Sequence, residues 1–239
     1  MNKQQLQVSV VMPCLNEDET LRQFILDTKE VLKRSGIHGE IIVADNGSTD
    51  NSQIIAQQEG ARLVVEKKRG YGSAVAAGIR AAKYNFIVMS DSDRSYDLST
   101  LPLFIKKLSE GYDMVIGNRF AGGIEPKAMP WPHQYIGNPI LSFLGRMLFR
   151  TSARDFHCGL RAIRKEAIMK LHLNSTDMTY DSEMIIKASL LKMRITEIPI
   201  KYHCDGRKKH RSYLHTWRDG WLNLMLTIKL YLHKSKYAA

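Results

Sequence analysis

Two carboxylates, Asp91 and Asp93, stand one residue apart directly after the apolar run Phe86–Met89. Four apolar residues in a row predict a strand buried on both faces, as in parallel sheets. Ending such a strand in neighbouring carboxylates costs stability, because like charges repel and burial penalises each of them. A divalent cation resolves the conflict. Mg2+ or Mn2+ takes one or two carboxylates and completes its shell from water and substrate phosphates. Strand ends are also where open α/β sheets bind ligands. The competing interpretation is a solvated acidic turn with Ser95 and Asp97 as turn formers. The position after a buried strand favours the metal.

The elements that must position these carboxylates alternate along the chain. Val8–Met12, closed by Pro13, reads as a first buried strand. Helical spacing follows over Asp18–Lys33, with Leu21, Phe24, Ile25, Thr28, Val31 and Leu32 on one face. A second strand, Ile41–Ala44, ends in the turn-forming Asp45-Asn46-Gly47-Ser48-Thr49-Asp50, which leads into a helix around 51–58. Leu63–Val65 is a third strand. The basic loop Lys67–Gly72 then enters a helix of small residues, Ser73–Lys83, whose start at Gly72 is placed to receive a phosphate. After Phe86–Met89 come a helix, Leu101–Glu110, and a strand, Met114–Ile116. This alternation predicts a doubly wound, mostly parallel α/β sheet with Asp45 and Asp91 along its ligand-binding edge. No G-x-G-x-x-G follows the first strand, which disfavours a dinucleotide enzyme.

Beyond Arg119 the alternation stops. A Gly/Pro-rich loop spans Ala121–Gln134, and helices are expected over Pro139–Arg150, Lys165–Leu171, Thr179–Leu191 and Leu214–His233, with an edge strand over Ile195–Tyr202. Arg161 and Arg164 are expected to come together before the 165–171 helix. Asp181 and Glu183 open the 179–191 helix, where acidic residues ordinarily complement the dipole. The wide apolar arc of the 139–150 helix, beside Trp131 and Tyr135, fits either a core or a membrane interface, while the amphipathic 214–233 helix with Trp217 and Trp221 is expected to rest on a bilayer, with packing against the sheet as the alternative.

The chain has 239 residues, 44% hydrophobic and 25% charged, which is ordinary for one large or two small globular domains. Its net charge of +11 is uneven: +2 over residues 1–160 and +9 over 161–239. The basic turn Asp205–Ser212, with Arg207, Lys208, Lys209 and Arg211, concentrates it. A basic final third implies an anionic partner. Nucleic acid is disfavoured, because the cations lie in turns beside glycines and strand-end carboxylates would repel it. Three cysteines without C-x-x-C indicate a reducing compartment. The pairs His157-Cys158 and His203-Cys204 fit no standard zinc spacing. The first seven residues are polar, without the apolar core of a signal peptide, and no run of 18 uncharged apolar residues occurs.

Seven segments, in order, carry a more specific signal: V-V-M-P-C-L-N-E-D-E-T-L at 10–21, A-D-N-G-S-T-D at 44–50, R-G-Y-G-S-A at 69–74, D-S-D at 91–93, G-N-R-F at 117–120, C-G-L-R-A-I-R at 158–164, and D-G-R with R-S before W-R-D-G-W at 217–221. Over nearly its whole length the chain resembles the family-2 glycosyltransferases of GT-A fold, in particular the dolichol-phosphate mannose or glucose synthase type. The resemblance implies one continuous GT-A domain: residues 1–120 as the nucleotide-sugar half and 121–239 as the acceptor half with interfacial helices. It implies that Pro13, Leu15, Glu17, Asp45, Gly70, Asp91 and Ser92 line the donor pocket, with Asp45 reading the base. Asp91, Asp93 and Ser95 would serve a Mg2+ or Mn2+ ion, Ser95 standing where mannose synthases often carry glutamine. Asn46 replaces a frequent second aspartate. Arg119, Arg161 and Arg207 would face the phosphates of a nucleotide-sugar donor and a polyprenyl-phosphate acceptor. Many relatives carry C-terminal membrane spans that this sequence lacks. The expected location is cytoplasmic and peripheral, at the inner face of an anionic membrane. With a soluble or protein acceptor, Asp181 or Glu183 would instead be the general base.

Overall fold

The computed structural model describes residues 6–207 and 215–237. Seven strands form one sheet in the order β3-β2-β1-β4-β6-β5-β7. They are β1 (Gln7–Cys14), β2 (His38–Asp45), β3 (Arg62–Val65), β4 (Phe86–Met89), β5 (Met114–Asn118), β6 (Arg161–Arg164) and β7 (Ile195–Pro199). Every pairing is parallel except those of β6, which runs antiparallel to both β4 and β5. The apolar runs predicted as buried strands are buried: Val8, Val10, Val11, Ile42, Val43, Ile87, Val88, Val115 and Ile116 have no exposed surface. Both sheet faces are therefore covered, as parallel pairing requires.

Helices α1 (Leu21–Arg34), α2 (Ser52–Gln58), α3 (Tyr71–Ala81), α4 (Leu101–Ser109) and the single turn α5 (Arg119–Gly122) follow the strands of the first half. Gly78 lets α3 lie directly on β1: a Cβ there would stand 2.3 Å from a Val11 methyl. The second half adds α6 (Asn138–Phe149), α7 (Lys165–Lys170), α8 (Tyr180–Leu190) and α9 (Thr216–Leu232). α8 is buried along its length from Tyr180 to Ala188. α6 and α9 pack on α8 and on each other. The chain thus gains a third layer, outside α8.

Two expectations about elements change. The edge strand is shorter than Ile195–Tyr202: it ends at Pro199, and Tyr202 makes only isolated bridges to Tyr96 and Ile124. Residues 161–164 are not a paired-arginine loop but strand β6, inserted between β4 and β5. Three residues along a strand span about 10 Å and reverse the face, so Arg161 and Arg164 separate. Arg164 donates from Nε to the Tyr112 carbonyl at 3.0 Å and lies over the Phe86 ring. Lys208, Lys209, Arg211 and Ser212 of the basic turn lie outside the described residues, as does Leu214.

Arg161 needs the largest correction, since it does not face a phosphate. Its side chain has no exposed surface. Nε and Nη2 donate to the Cys158 carbonyl, Nη2 also to Phe156, and Nη1 to the Asp181 carbonyl at 2.9 Å. The Asp181 carboxylate is 3.4 Å from Nη2. The guanidinium therefore ties β6, the 156–158 loop and the start of α8 together. Removing one partner of a buried pair typically costs about 3–5 kcal/mol. Arg161→Met should lower unfolding free energy by about that amount in urea titration. Wild-type stability combined with weakened substrate binding would return Arg161 to a ligand-facing role.

Candidate functional site

The C-terminal ends of the parallel strands form one edge, as the alternation predicts. Register places Cys14 of β1 beside Asp45 of β2, and Val11 beside Met89 of β4. Asp91 and Asp93 follow β4, and Asn118 ends β5 at the same edge. Glu17 reaches it from the loop after β1, and Arg207 from the segment after β7. Arg207 Nε donates to Glu17 Oε2 at 2.9 Å, its Nη2 also pairs with Glu17, and Nη1 is 3.3 Å from both Asp93 Oδ2 and Asp205 Oδ2. Among the three arginines expected at phosphates, Arg207 is the one that bridges these edge carboxylates.

Negative charge accumulates here. Burial, with Asp93 and Asp181 adding like charge, pushes Asp91 up to about 7. Burial also raises Glu17, against the pull of Arg207. Tyr96 donates its hydroxyl proton to Asp91 Oδ2 at 3.2 Å, and Gly159 packs so close that a Cβ would come 2.4 Å from that oxygen. A donor set of two adjacent carboxylates under this charge load fits a divalent cation that shares a substrate diphosphate. Among the described residues, no cluster of three or more His, Cys, Asp or Glu side chains forms a protein-only cage. The His157-Cys158 and His203-Cys204 pairs are not gathered into such a cluster. Cys158 is buried and Cys204 exposed.

Several predicted site residues prove to be supports. Ser95 Oγ donates to Asp93 Oδ1 at 2.6 Å and its N–H to the same oxygen at 3.0 Å, so Ser95 orients the carboxylate instead of extending the ligand set. Ser92 Oγ donates to the Pro13 carbonyl at 3.0 Å, fastening the D-S-D turn to β1. Pro13 and Leu15 are half-buried beside it. Asp45 is fully buried. Its Oδ2 accepts from Gly47 N at 3.0 Å, Ser48 N at 3.2 Å and Gln53 Nε2 at 2.8 Å. It shapes the 46–48 turn from beneath, with Oδ2 taken up by these internal donors. Gly70 has φ +126° because the Thr176 carbonyl fills the space of a side chain, 2.0 Å from an added Cβ. That carbonyl also accepts from Ser73 N at 3.2 Å. The start of α3 is therefore met by the Thr176 carbonyl.

Arg119 is buried in a two-pronged pair with Asp155, with both N···O distances 2.8 Å, and lies over the Tyr202 ring. Asp155 is held in turn by Glu197, which accepts its N–H at 2.9 Å and a bond from Asn118 Nδ2 at 2.8 Å. Sequence reasoning assigned no role to Asp155, Glu197 or Tyr96: Asp155 and Glu197 pair with residues tens of positions away, and Tyr96 joins Asp91 to the distant Gly159. It also passed over His157 as a site residue. Its Nε2 is buried without a hydrogen-bond partner, and burial lowers its pKa to about 4, so the ring is neutral. A lone histidine between Phe and Cys carries no sequence signal of that kind.

Asn46 explains its own departure from aspartate. Nδ2 donates to the carbonyls of Glu66 at 3.0 Å and Lys68 at 2.8 Å, and Oδ1 accepts from Gly70 N at 2.7 Å. Arg69 Nη1 adds a bond to the Asn46 carbonyl at 2.6 Å. An aspartate would set a carboxylate against two carbonyl oxygens. Asn46→Asp should lower stability by roughly 2–4 kcal/mol and raise amide exchange across 66–70 at neutral pH. Unchanged protection there would show that the amide does not hold the loop.

Comparison with known proteins agrees with this geometry. Residues 9–171 match the family described as Glycosyl transferase family 2. A Haloferax volcanii protein named low-salt glycan biosynthesis hexosyltransferase Agl6 is 35% identical over 215 residues, covering 90% of this chain and 51% of that one. The chain thus spans about half the length of that relative. A dolichyl-phosphate hexose transferase of the same organism is 29% identical over 195 residues, 82% of each chain. Glucosyl-3-phosphoglycerate synthase from Mycobacterium tuberculosis, solved with Mn2+ and uridine-diphosphate-glucose, matches with a TM-score of 0.70 at 19% identity, covering 95% of this chain and 79% of that one. At that identity the likeness speaks for the fold, which is GT-A. With the family match over residues 9–171 and the 35% identity to Agl6, the chain belongs to glycosyl transferase family 2.

Proposed function

We propose that the protein transfers a hexose from a nucleoside-diphosphate sugar to a polyprenyl phosphate at an anionic membrane surface. The observation that carries this reading is that α9 is built inside out. Its protein-facing side is mainly polar: Asp219, Asn223 and Thr227 are buried, beside Leu230. Asn223 Oδ1 accepts from Ser182 Oγ of α8 at 2.6 Å, and Thr227 Oγ1 donates to the Asn223 carbonyl at 2.8 Å. The outward side is Trp217, Trp221, Met225, Ile228 and Leu232, with Trp217 88% exposed. α6 repeats the pattern, with Asn138, Ser142 and Gly145 inward and Ile140, Phe143 and Met147 outward. The two stripes lie on packed neighbours, and exposed Arg146, Arg150, Arg218 and Lys229 flank them. The one carboxylate of these two helices, Asp219, faces inward. An apolar face with cations and no exposed acid suits an anionic bilayer. No helix among the described residues is long and apolar enough to cross a membrane. The 29% identical relative, a dolichyl-phosphate hexose transferase, supports the same acceptor class.

The acceptor's chemistry then sets what the residues must do. A phosphate monoester has a second pKa near 6, so at neutral pH it already carries a nucleophilic oxygen and needs no general base. That oxygen forms a bond to the anomeric carbon as the bond to the donor diphosphate breaks, with inversion. Asp91 and Asp93 would hold the divalent cation, which when bound neutralises the diphosphate. Arg207, now held by Glu17 and Asp93, is the side chain a phosphate would compete for. The alternative with a soluble or protein acceptor finds less support. Glu183 is held by Lys187 and by the N–H groups of Asn174 and Ser175, while Asp181 is engaged by Arg161.

A panel of UDP- and GDP-sugars with a short polyprenyl phosphate, scored for lipid product, tests the reaction. Asp93→Asn should abolish most transfer. Arg207→Ala should lower kcat/KM for the lipid phosphate roughly 10- to 100-fold, as expected for a charge-assisted phosphate contact. Equal use of a soluble acceptor by Arg207→Ala and wild type, without lipid product, would replace this reading.

Membrane contact is tested separately by flotation. The protein should bind vesicles containing phosphatidylglycerol, less so at high salt. Trp217→Ala/Trp221→Ala should lose that binding while melting as wild type does. Indifference of the wild type to such vesicles would remove the membrane from the proposal.

A further inference from the structure

A cavity of about 750 Å³ lies at the opposite edge of the sheet from the carboxylates. It is lined by Asp113, just before β5, by Arg164 at the end of β6 and by Met193, just before β7. Strand β5 separates it from the other edge by five residues, about 16 Å of extended chain. Its size falls within the range of small-molecule sites, and its floor is apolar, formed by Ala167, Leu171, Leu191 and Met193.

The rim is cationic, and most of that charge is free. Arg164 is engaged by backbone carbonyls of Tyr112 and Leu108. Lys187, almost fully buried, is 2.7 Å from Glu183 Oε1 and donates to the His172 carbonyl at 2.7 Å. Its ammonium also lies 5.0 Å from the centre of the Tyr237 ring, which fixes one wall. That leaves Lys170, Lys192 and Lys236, each exposed and without a hydrogen-bond or ion-pair partner among the described residues. On the acidic side, Asp113 accepts the Arg194 N–H at 2.8 Å, and Glu166 stands alone against the three lysines. Three lysines from distant parts of the chain thus line one cavity with an apolar floor, a setting that favours an anion.

We infer that this cavity binds a phosphate-bearing ligand with a small apolar part, its phosphate held by Lys170, Lys192 and Lys236 and its carbon chain on the Leu171–Met193 floor. The shared chemistry admits a lipid headgroup or a free phosphate ester. The lipid is favoured by position, since Lys236 follows Leu232, the last residue of the outward apolar stripe, by four residues. That preference for the lipid rests on the membrane reading above, whereas the site itself does not.

Isothermal titration of the whole protein without sugar donor tests the inference. The probes are monomeric dihexanoyl phosphatidylglycerol and inorganic phosphate. Binding of dihexanoyl phosphatidylglycerol should weaken about tenfold or more in Lys170→Ala/Lys192→Ala/Lys236→Ala, weaken with salt, and persist in Asp93→Asn. If inorganic phosphate shows the same lysine dependence and the lipid binds no more tightly, the site stands and the source is a free phosphate ester. Binding of neither probe, or binding unchanged in the triple variant that melts as wild type does, overturns the site. Because no donor is present, this outcome is independent of whether sugar transfer succeeds.

Discussion

The buried Arg161 guanidinium is the constraint on which the rest of the arrangement depends. A full charge with no exposed surface is tolerable only when every hydrogen is directed at an acceptor. Its acceptors are the Phe156 and Cys158 carbonyls and the Asp181 carbonyl and carboxylate. These belong to a loop and to a helix from different parts of the chain. Satisfying Arg161 therefore fixes where α8 begins and how the 156–159 loop turns. That loop brings Gly159 against Asp91, and Tyr96 closes the contact by donating to Asp91 while accepting from Gly159 N at 2.8 Å. The Asp91 carboxylate is thus positioned by way of a cation that has no exposed surface.

The same logic recurs at Arg119. Asp155 grips its guanidinium, and Glu197 grips the backbone of Asp155 and the side chain of Asn118. A chain of buried charges runs from the edge strand β7 to the end of β5. Arg119 and Asp155 neutralise each other, while Glu197 is held by N–H donors of Arg154, Asp155 and Asn118. Such networks hold geometry when every member is satisfied, and one missing partner leaves a desolvated charge. The site consequently separates into supports, which are buried and paired, and Arg207, which bridges carboxylates at the edge.

What was legible in the sequence follows from range. The strands with continuous apolar runs, β1, β2, β4 and β5, lie where hydrophobicity placed them, and the D-S-D turn follows β4. Those features are local. Strand β6 has only four residues, two of them arginine, so no periodicity announced it, and its antiparallel insertion is a tertiary event. The roles of Asp45, Ser92, Ser95 and Gly70 turned on partners such as Gln53, Pro13, Asp93 and Thr176. A motif shows that a residue type is required; it does not show whether the need is for a ligand or for a neighbour. Asn46 was readable only as a substitution until its three bonds to the 66–70 loop gave the amide a reason.

The outer helices show the limit of amphipathicity as a guide. A hydrophobic stripe on a helix says that one face differs from the other, not which face is inward. In α1 the stripe of Leu21, Phe24, Ile25, Thr28 and Leu32 is buried, as usual for a core helix. In α9 the stripe points out, because α8 presents Ser182 to it and Asn223 answers with a hydrogen bond. A polar group buried between packed helices stays favourable only if it is paired, so this bond holds the polar side of α9 inward, while Asp219 accepts the N–H of His215 at the start of the same helix at 2.7 Å. The tryptophans are then left outward. Their exposure follows from a hydrogen bond on the far side of the helix, a partner that the sequence alone does not show.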